Sequence, residues 1–170
     1  MSDFSHKQFQ GQLYTFEHLK PITLGLNLVI NRVDQAIRIF VTFGCHCFTE
    51  EFDSNKHREE HVYRHLRELR AFDPLRYQCS KHLPTVMQTL LNGLIYRSDK
   101  SYTYVSQIVI DSPNGPKPYS IFFSLERMGS ANAVDLKLYV KSAYISPLKS
   151  GKNAQRWRFK GLVCDVLGVS

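Results

Sequence analysis

Apolar side chains recur at every second position in two neighbouring stretches near the start of the chain. The first stretch covers residues 24–30 and the second covers residues 37–43, and the polar segment Asn31-Arg32-Val33-Asp34 lies between them. A period of two is typical of β-strands with one buried face. Two such runs joined by a short polar turn predict a β-hairpin. We place this hairpin in an N-terminal extension that covers residues 12–50.

The pattern then changes to a helical spacing. Asp53 or Ser54 is a suitable N-cap for a helix that we expect to run to about Ala71. Asp73 followed by Pro74 is a second helix start, because Asp caps the first turn and Pro suits the first helical position. The apolar stripe of the first predicted helix consists of Val62, Leu66 and Leu69. The pattern therefore predicts two or three helices within residues 53–97.

From Tyr102 onward the period of two returns. It predicts strands over residues 102–110, 119–125, 134–145 and 156–166. The connections between them have hairpin length, and short connections join antiparallel strands. Helices grouped before strands indicate an α+β fold. We therefore expect one domain, with an N-terminal β-hairpin, two or three helices, and a four-stranded antiparallel sheet over residues 102–166.

The third of these strands ends in polar residues. Val134, Leu136, Leu138 and Val140 share one face, because side chains alternate across a strand. Strict alternation continues this face through Ser142 and Tyr144, which are therefore expected at the edge of the core. On the last strand the cations share one face, opposite Trp157 and Phe159, and they are Arg156, Arg158 and Lys160. Hydroxyls and cations are thus expected to meet around one rim.

Composition adds a preferred class of partner. The chain has 170 residues and a formal net charge of +7, which allows one domain with a sizeable core and favours polyanionic partners. Cys45 and Cys47 are too close in an extended strand to pair with each other, and a disulfide scaffold is denser in cysteine than this chain, which has four, so a reducing compartment fits better. No apolar run approaches the ~20 residues of a membrane helix, and the first residues are polar. We expect a cytoplasmic protein with no membrane partner.

Three segments carry a resemblance to a known group of enzymes. They are RAFDPLRYQCSKHLP (70–84), KPYSIFFSLER (117–127) and LYVKSAYIS (138–146). They resemble small bacterial and prophage proteins of the RelE/barnase/EndoU/colicin-like RNase superfamily. That resemblance implies helices packed on a four-stranded antiparallel sheet, cleavage of RNA without a metal, and a toxin role restrained by an antitoxin or immunity protein. It draws attention to Arg76, Ser80 and His82 in the first segment, and to Lys141, Ser142 and Tyr144 in the last.

The chemistry of RNA cleavage assigns roles to these residues. Cleavage through the 2′-hydroxyl requires a base, an acid and cationic donors near the phosphate. His82 and His46 are the natural proton carriers, and Arg76 can clamp a phosphate. The candidate catalytic set is His82, Tyr144, Arg76, Ser142 and His46. The candidate nucleic-acid contacts are Lys141, Arg156, Arg158, Lys160 and Ser80. We predict no cofactor.

Two other functions stay open. In the segment FGCHCFTEEF (43–52), Cys45, His46 and Cys47 precede His57, His61 and His65, and Cys79 and His82 follow. Thiols and imidazoles in this number can hold zinc. A CxxC pair is missing, however, and alternation along a strand separates His46 from both cysteines, so we predict no metal. The leading hypothesis is a toxin-type, metal-independent endoribonuclease. The alternatives are a non-catalytic RNA- or protein-binding module and a zinc-stabilised domain, and each candidate residue can also be purely structural.

Overall fold

The computed structural model describes residues 2–98, 103–147 and 155–169. Its strands are β1 (Lys7–Phe9), β2 (Gln12–Tyr14), β3 (Ile22–Ile30), β4 (Val33–His46), β5 (Thr49–Glu51), β6 (Val62–His65), β7 (Glu68–Phe72), β8 (Leu94–Arg97), β9 (Tyr104–Ser112), β10 (Gly115–Arg127), β11 (Leu136–Ile145) and β12 (Arg156–Arg158). Its α-helices are α1 (Pro74–Ser80), α2 (Leu83–Leu91) and α3 (Phe159–Leu167). Two short 3-10 helices cover Glu17–Leu19 and Glu59–His61. Tyr102, the first residue of a predicted strand, lies outside the described residues.

The main body is a seven-stranded mixed sheet with the order β12-β8-β9-β10-β11-β4-β3. Strand β11 runs parallel to β4, and the other neighbours are antiparallel. The prediction of a RelE/barnase-like four-stranded antiparallel sheet was therefore wrong. The N-terminal hairpin is part of the sheet, because the buried side chains of β4 continue the core face of β11. Facing pairs include Leu136 with Ile39 and Leu138 with Val41.

The predicted hairpin itself is confirmed. Strands β3 and β4 pair antiparallel from Ile22 with Val41 to Ile30 with Val33. The two turn residues, Asn31 and Arg32, have positive φ angles of 51° and 65°. Such angles match the two-residue turns whose twist fits a hairpin. Local sequence signals are sufficient here, because both strands and the turn lie within one short segment.

The helix predicted over residues 53–71 is absent from the structure, and this prediction was wrong. The segment contains the second 3-10 helix and the β6–β7 hairpin, which forms a three-stranded sheet with the order β5-β7-β6. Spacing of apolar residues misled the assignment, because Leu66 is 92% exposed at the turn and does not face the core. The second start signal is confirmed, since the Asp73 carboxylate accepts hydrogen bonds from the Leu75 and Arg76 amides.

The C-terminal strand predicted over residues 156–166 was also wrong beyond Arg158. Strand β12 ends there, and α3 begins at Phe159 and ends before Gly168, whose φ is +70°. The helix buries Phe159, Leu162 and Val163. Their spacing of three and four residues is the helical one, and it outweighs the local alternation of cations around Trp157.

A β-bulge interrupts the alternation of β11. Val140 pairs with Phe123 and Ser142 pairs with Phe122, so Lys141 is an extra residue between two successive pairs. Before the bulge the buried residues are at even-numbered positions, Leu136, Leu138 and Val140. After the bulge the buried residue is at an odd-numbered position, Ala143. Ser142 and Tyr144 therefore lie on the opposite face from the one that strict alternation predicts. The Tyr144 ring stacks on Phe122, with 5.3 Å between ring centroids.

In the three described ranges, we find no helix with the length and apolar character needed to cross a membrane. The core lies on the face of the large sheet that α1, α2 and α3 cover, and it continues into an aromatic cluster around the small sheet. This cluster includes Phe16, Phe48 and Phe72, which are all essentially inaccessible to solvent. The end of β4 joins the two sheets, which makes it the natural place to search for a site.

Candidate functional site

Arg76 is held rigidly at the end of the β4–β11 pair. One of its Nη atoms donates a hydrogen bond of 2.8 Å to the Thr49 carbonyl and a longer one of 3.4 Å to the His46 carbonyl. The guanidinium carbon lies 4.5 Å from the centroid of the Tyr144 ring, which is a cation–π distance. The Asp73 carboxylate lies 3.6 Å from its Nε atom. We call Arg76, Asp73 and Tyr144, with these two carbonyls, the Arg76 clamp.

The structure brings four of the five candidate catalytic residues to this end of the sheet. Ser142 pairs with His46 across the β11–β4 ladder, next to the Arg76 clamp. The fifth, His82, lies elsewhere: its Nε2 is 2.9 Å from the Asp111 carbonyl oxygen. Asp111 pairs with Pro116, and Tyr144 pairs with Ser120. Pro116 and Ser120 are four positions apart on β10, so the Asp111 pair that His82 contacts lies about 13 Å along the strands from the Tyr144 pair.

The candidate nucleic-acid contacts fall on separate parts of the molecule. Arg156 and Arg158 are exposed on β12, and Lys160 is exposed at the start of α3. Strand β12 is four strands from β11 in the sheet order, a separation of about 19 Å. Ser80 is fully buried, and its hydroxyl donates to the Tyr77 carbonyl. Lys141 is half-buried and donates a 2.8 Å hydrogen bond to the Thr103 hydroxyl.

An open groove of about 700 Å³ lies between the β6–β7 turn and the adjoining ends of β4 and β11. Its lining residues are Cys45, His46, His65, Leu66, Arg67, Glu68, Tyr139 and Lys141. We call this space the hairpin groove. Two of the predicted site residues, His46 and Lys141, line it together with Cys45 and His65 of the zinc alternative and with four residues that were not among the candidates.

A tight turn after β4 shapes one wall of the groove. The Cys47 amide donates to the Gly44 carbonyl, and the Phe48 amide donates to the Cys45 carbonyl, both at 3.1 Å. The Thr49 hydroxyl also donates to the Cys45 carbonyl, at 2.8 Å. Extended geometry therefore ends at this point, and alternation no longer determines where the side chains point.

Both Cys45 and His46 reach the same carboxylate, that of Glu68 at the start of β7. His46 Nε2 is 2.7 Å from Glu68 Oε2, and Cys45 Sγ is 3.6 Å from the same oxygen. The hydrogen bond from His46 lowers the pKa of Glu68. Burial, with a smaller effect of the Glu68 charge, raises the pKa of Cys45 to about 11. The carboxylate is therefore ionised at neutral pH, and the thiol is protonated and is a poor nucleophile.

Several other cysteines and histidines of the zinc hypothesis have separate partners. His57 Nδ1 accepts from the Asp53 amide, and its Nε2 lies 2.8 Å from a Glu50 oxygen. His61 accepts from the Arg58 amide. Cys47 is fully buried, with Sγ 3.9 Å from the Val140 carbonyl. All four cysteines are free thiols.

Sequence reasoning missed the most exposed part of the groove. Leu66 has a φ of +53°, an uncommon conformation for a bulky residue, and it is the first residue of the β6–β7 turn. Tyr139 is 39% exposed on the opposite wall. Treating residues 62–65 and 68–72 as two short strands would have identified Leu66-Arg67 as the turn between them. The helical interpretation of this segment concealed that signal.

Comparison with known proteins identifies a family. The sequence model of the YjaZ family matches residues 6–167, which extend from the residue before β1 to the end of α3. Neither the curated proteins nor the solved structures include a significant match. These comparisons provide no link to the RNase superfamily that the three segments resemble. Because the match covers nearly the whole chain, the protein belongs to the YjaZ family.

Proposed function

We propose that the protein binds single-stranded RNA in the hairpin groove and acts as a binding module without catalysis. The observation that carries this proposal is the combination of exposed flat and apolar side chains, Tyr139 and Leu66, with the cations Arg67 and Lys141 in one open groove. Bases stack on aromatic rings, and Lys and Arg neutralise the phosphates between them. The formal charge of +7 supports the same class of partner.

The strained turn supports a binding role for this side of the molecule. A left-handed conformation costs a residue with a Cβ about 1–2 kcal/mol. Leu66 adopts it while 92% exposed, so little burial within the protein offsets the strain. Strain of this kind is concentrated at functional sites, where the side chain must point towards a ligand. A base or another flat group above Leu66 would bury the side chain that the fold leaves exposed.

The charge arrangement can be tested with two matched double variants. Arg67→Gln/Lys141→Gln removes two positive charges from the groove, and Arg156→Gln/Arg158→Gln removes two from the distant edge of the sheet. Fluorescence anisotropy with a short unstructured RNA gives the affinity at several salt concentrations. We expect the groove variant to bind at least ~10-fold more weakly and to lose about 1.4 from the slope of log affinity against log salt. Equal losses in the two variants would contradict the proposal.

Stacking is tested at Tyr139. Tyr139→Ala should weaken RNA binding by ~5- to 150-fold, the range measured for loss of one stacking platform. Tyr139→Phe keeps the ring and should bind within about twofold of the parent. Thermal unfolding of both variants checks that the groove remains folded. If Tyr139→Ala binds as the parent does, the ring is not a stacking platform.

A second candidate function is the toxin-type endoribonuclease. The observation in its favour is that His46, Ser142, Arg76 and Tyr144 lie at one end of the sheet beside the groove. This candidate expects growth arrest on expression, relief by an antitoxin or immunity partner, and RNA cleavage that persists in EDTA. His46→Gln should abolish that cleavage. If RNA stays intact under all these conditions, with ribosomes supplied, the endoribonuclease function is excluded and the binding module remains the proposed function.

The compartment forms part of the proposal. Four free thiols, three of them buried, suit the reducing cytoplasm. Cell fractionation followed by immunoblotting tests this location. Co-purified RNA in the same fraction would support the binding function independently.

A further inference from the structure

Three side chains with different metal-binding atoms meet at one wall of the hairpin groove. The Cys45 thiol, the His46 imidazole and the Glu68 carboxylate have ligand atoms that all lie within 4.8 Å of one another. We propose that Cys45, His46 and Glu68 form a binding site for Zn²⁺ or a similar divalent transition-metal ion. This site is a property of the protein beyond RNA binding, and it does not depend on that function.

The distance between the Cys45 and Glu68 ligand atoms suits a tetrahedral ion, and Cys45 Sγ and His46 Nε2 lie within 4.8 Å of each other. Bonds of about 2.0–2.3 Å to nitrogen, oxygen and sulfur place neighbouring ligand atoms about 3.3–3.6 Å apart. Cys45 Sγ and Glu68 Oε2 are already 3.6 Å apart. His46 Nε2 and Glu68 Oε2, at 2.7 Å, share a hydrogen bond. The ion would replace that proton, and the pair would separate by about 0.6 Å, a change within reach of the exposed Glu68 side chain.

The backbone around the ligands is firmly fixed. The turn after β4 holds the Cys45 carbonyl with two hydrogen bonds, and Arg76 donates to the carbonyl of His46. Two ligands on adjacent residues therefore have little freedom to move apart, while the third approaches from another strand. This combination lowers the entropy lost on binding.

The chemistry of the set selects the metal class. A thiolate and an imidazole favour zinc over the hard cations magnesium and calcium, which prefer oxygen ligands only. With three protein ligands, an ion keeps a fourth position, and the groove lined by the same residues has room for water or another small ligand there. Binding releases the Cys45 proton, because the thiolate is the form that coordinates the metal.

The test uses Co²⁺, whose spectrum reports its ligands. The full-length protein is treated with a chelator, exchanged into metal-free buffer, and titrated with Co²⁺, then with Zn²⁺ in competition. We expect one equivalent of Co²⁺ to produce a thiolate charge-transfer band and the intense visible bands of a tetrahedral site, and Zn²⁺ to bleach both. Absence of these bands at saturating Co²⁺ in the folded parent would overturn the proposal.

Variants locate the ion. Cys45→Ser should remove the charge-transfer band, and Glu68→Gln, at an exposed residue, should weaken binding by ~10-fold or more, since loss of a supporting residue alone costs that much. Cys164→Ser removes a thiol outside the cluster and should bind as the parent does. Circular dichroism confirms that each variant is folded.

A band that persists in Cys45→Ser, or a Glu68→Gln affinity equal to the parent's, would show that the ion binds elsewhere and contradict the proposed site. RNA affinity measured on the same metal-free samples separates failure of this site from failure of the RNA-binding function.

Discussion

The Arg76 clamp and the hairpin groove lie at the same end of the β4–β11 pair and use similar residue types. In the clamp, Arg76 is only 22% exposed, and its guanidinium contacts two carbonyl oxygens, a carboxylate and a ring. In the groove, Tyr139 and Leu66 expose their apolar surfaces to open space. The difference shows that residue type alone does not separate a structural cluster from a binding surface. The exposed fraction of the side chains separates them.

The largest expected effect is at Arg76. Arg76→Ala removes hydrogen bonds to the carbonyls of His46 and Thr49 and removes the ion pair with Asp73, whose carboxylate keeps only its two backbone amide donors. We expect the free energy of unfolding to fall by about 3 kcal/mol, as when a partly buried charge network is broken. Urea unfolding measures it. The matched control is Arg67→Ala at the turn, which should change stability by no more than about 0.5 kcal/mol. Equal losses would show that the clamp and the groove do not differ in this way.

The next prediction concerns the wall of the groove beneath Tyr139. A Cβ atom at Gly44 would lie 2.6 Å from the Tyr139 hydroxyl oxygen and 2.9 Å from the Lys141 carbonyl oxygen. Gly44→Ala should therefore cost about 1–3 kcal/mol by overpacking and should also displace the Tyr139 ring. Gly25→Ala is the control, because its Cβ would meet no atom within 4 Å. Thermal unfolding compares the two variants, and equal melting temperatures would contradict the close approach.

A pH prediction follows from His18, which packs against Tyr77 and Ser80 of α1. Burial, with a smaller effect of Lys81, lowers the pKa of His18 to about 4 from 6.5. Its Nε2 lies 2.8 Å from the Ser80 hydroxyl. Between these two pKa values the unfolded chain binds a proton that the folded chain does not bind. Stability should therefore fall as the pH falls from about 6.5 to 4, by roughly 1–2 kcal/mol after allowing for the partial exposure of the ring.

The measurement is the free energy of unfolding at several pH values. His18→Gln removes the titrating group and should flatten the dependence across this window, whereas His6→Gln at an exposed position should leave it unchanged. A parent protein whose stability stays constant from pH 6.5 to 4, or a His18→Gln variant with the parent's full dependence, would disagree with a half-buried, neutral His18.

Local signals in the sequence predicted what local interactions determine. The β3–β4 hairpin and the Asp73 cap depend on residues a few positions apart, and both were recognised. The parallel pairing of β11 with β4 joins residues almost a hundred positions apart and has no short-range signature. The bulge at Lys141 depends on the partner strand in the same way. The bulge places Ser142 and Tyr144 on the face of the sheet opposite to the predicted one. Much of the predicted site depended on the predicted face.

The groove illustrates the same limit for function. Its residues come from β4, the β6–β7 turn and β11, so their assembly requires both the nonlocal pairing and a correct assignment of the hairpin. His46 and Lys141 were recognised by residue type. Glu68 was in no prediction, because residues 53–71 were assigned to a helix and the β6–β7 hairpin that brings Glu68 to His46 was not recognised. Arg76 and Tyr144 are both predicted site residues, and they contact each other. The hydrogen bonds of Arg76 nevertheless identify a structural role, which its residue type does not reveal.

The smallest expected effect is a gain in stability at Leu66, in the groove. Leu66→Gly removes the cost of a left-handed conformation, which is about 1–2 kcal/mol. Glycine also makes the unfolded chain more flexible, and this offsets about 0.5–1 kcal/mol of the gain in stability. We expect a net stabilisation of about 0.5–1 kcal/mol by urea unfolding, together with weaker RNA binding. The control is Asn31→Gly, at the same position of the β3–β4 turn with a φ of 51°, where Asn already tolerates the conformation. A Leu66→Gly variant that is less stable than the parent would show that the fold itself requires this leucine. A more stable variant with unchanged RNA affinity would remove Leu66 from the binding surface and leave its strain unexplained.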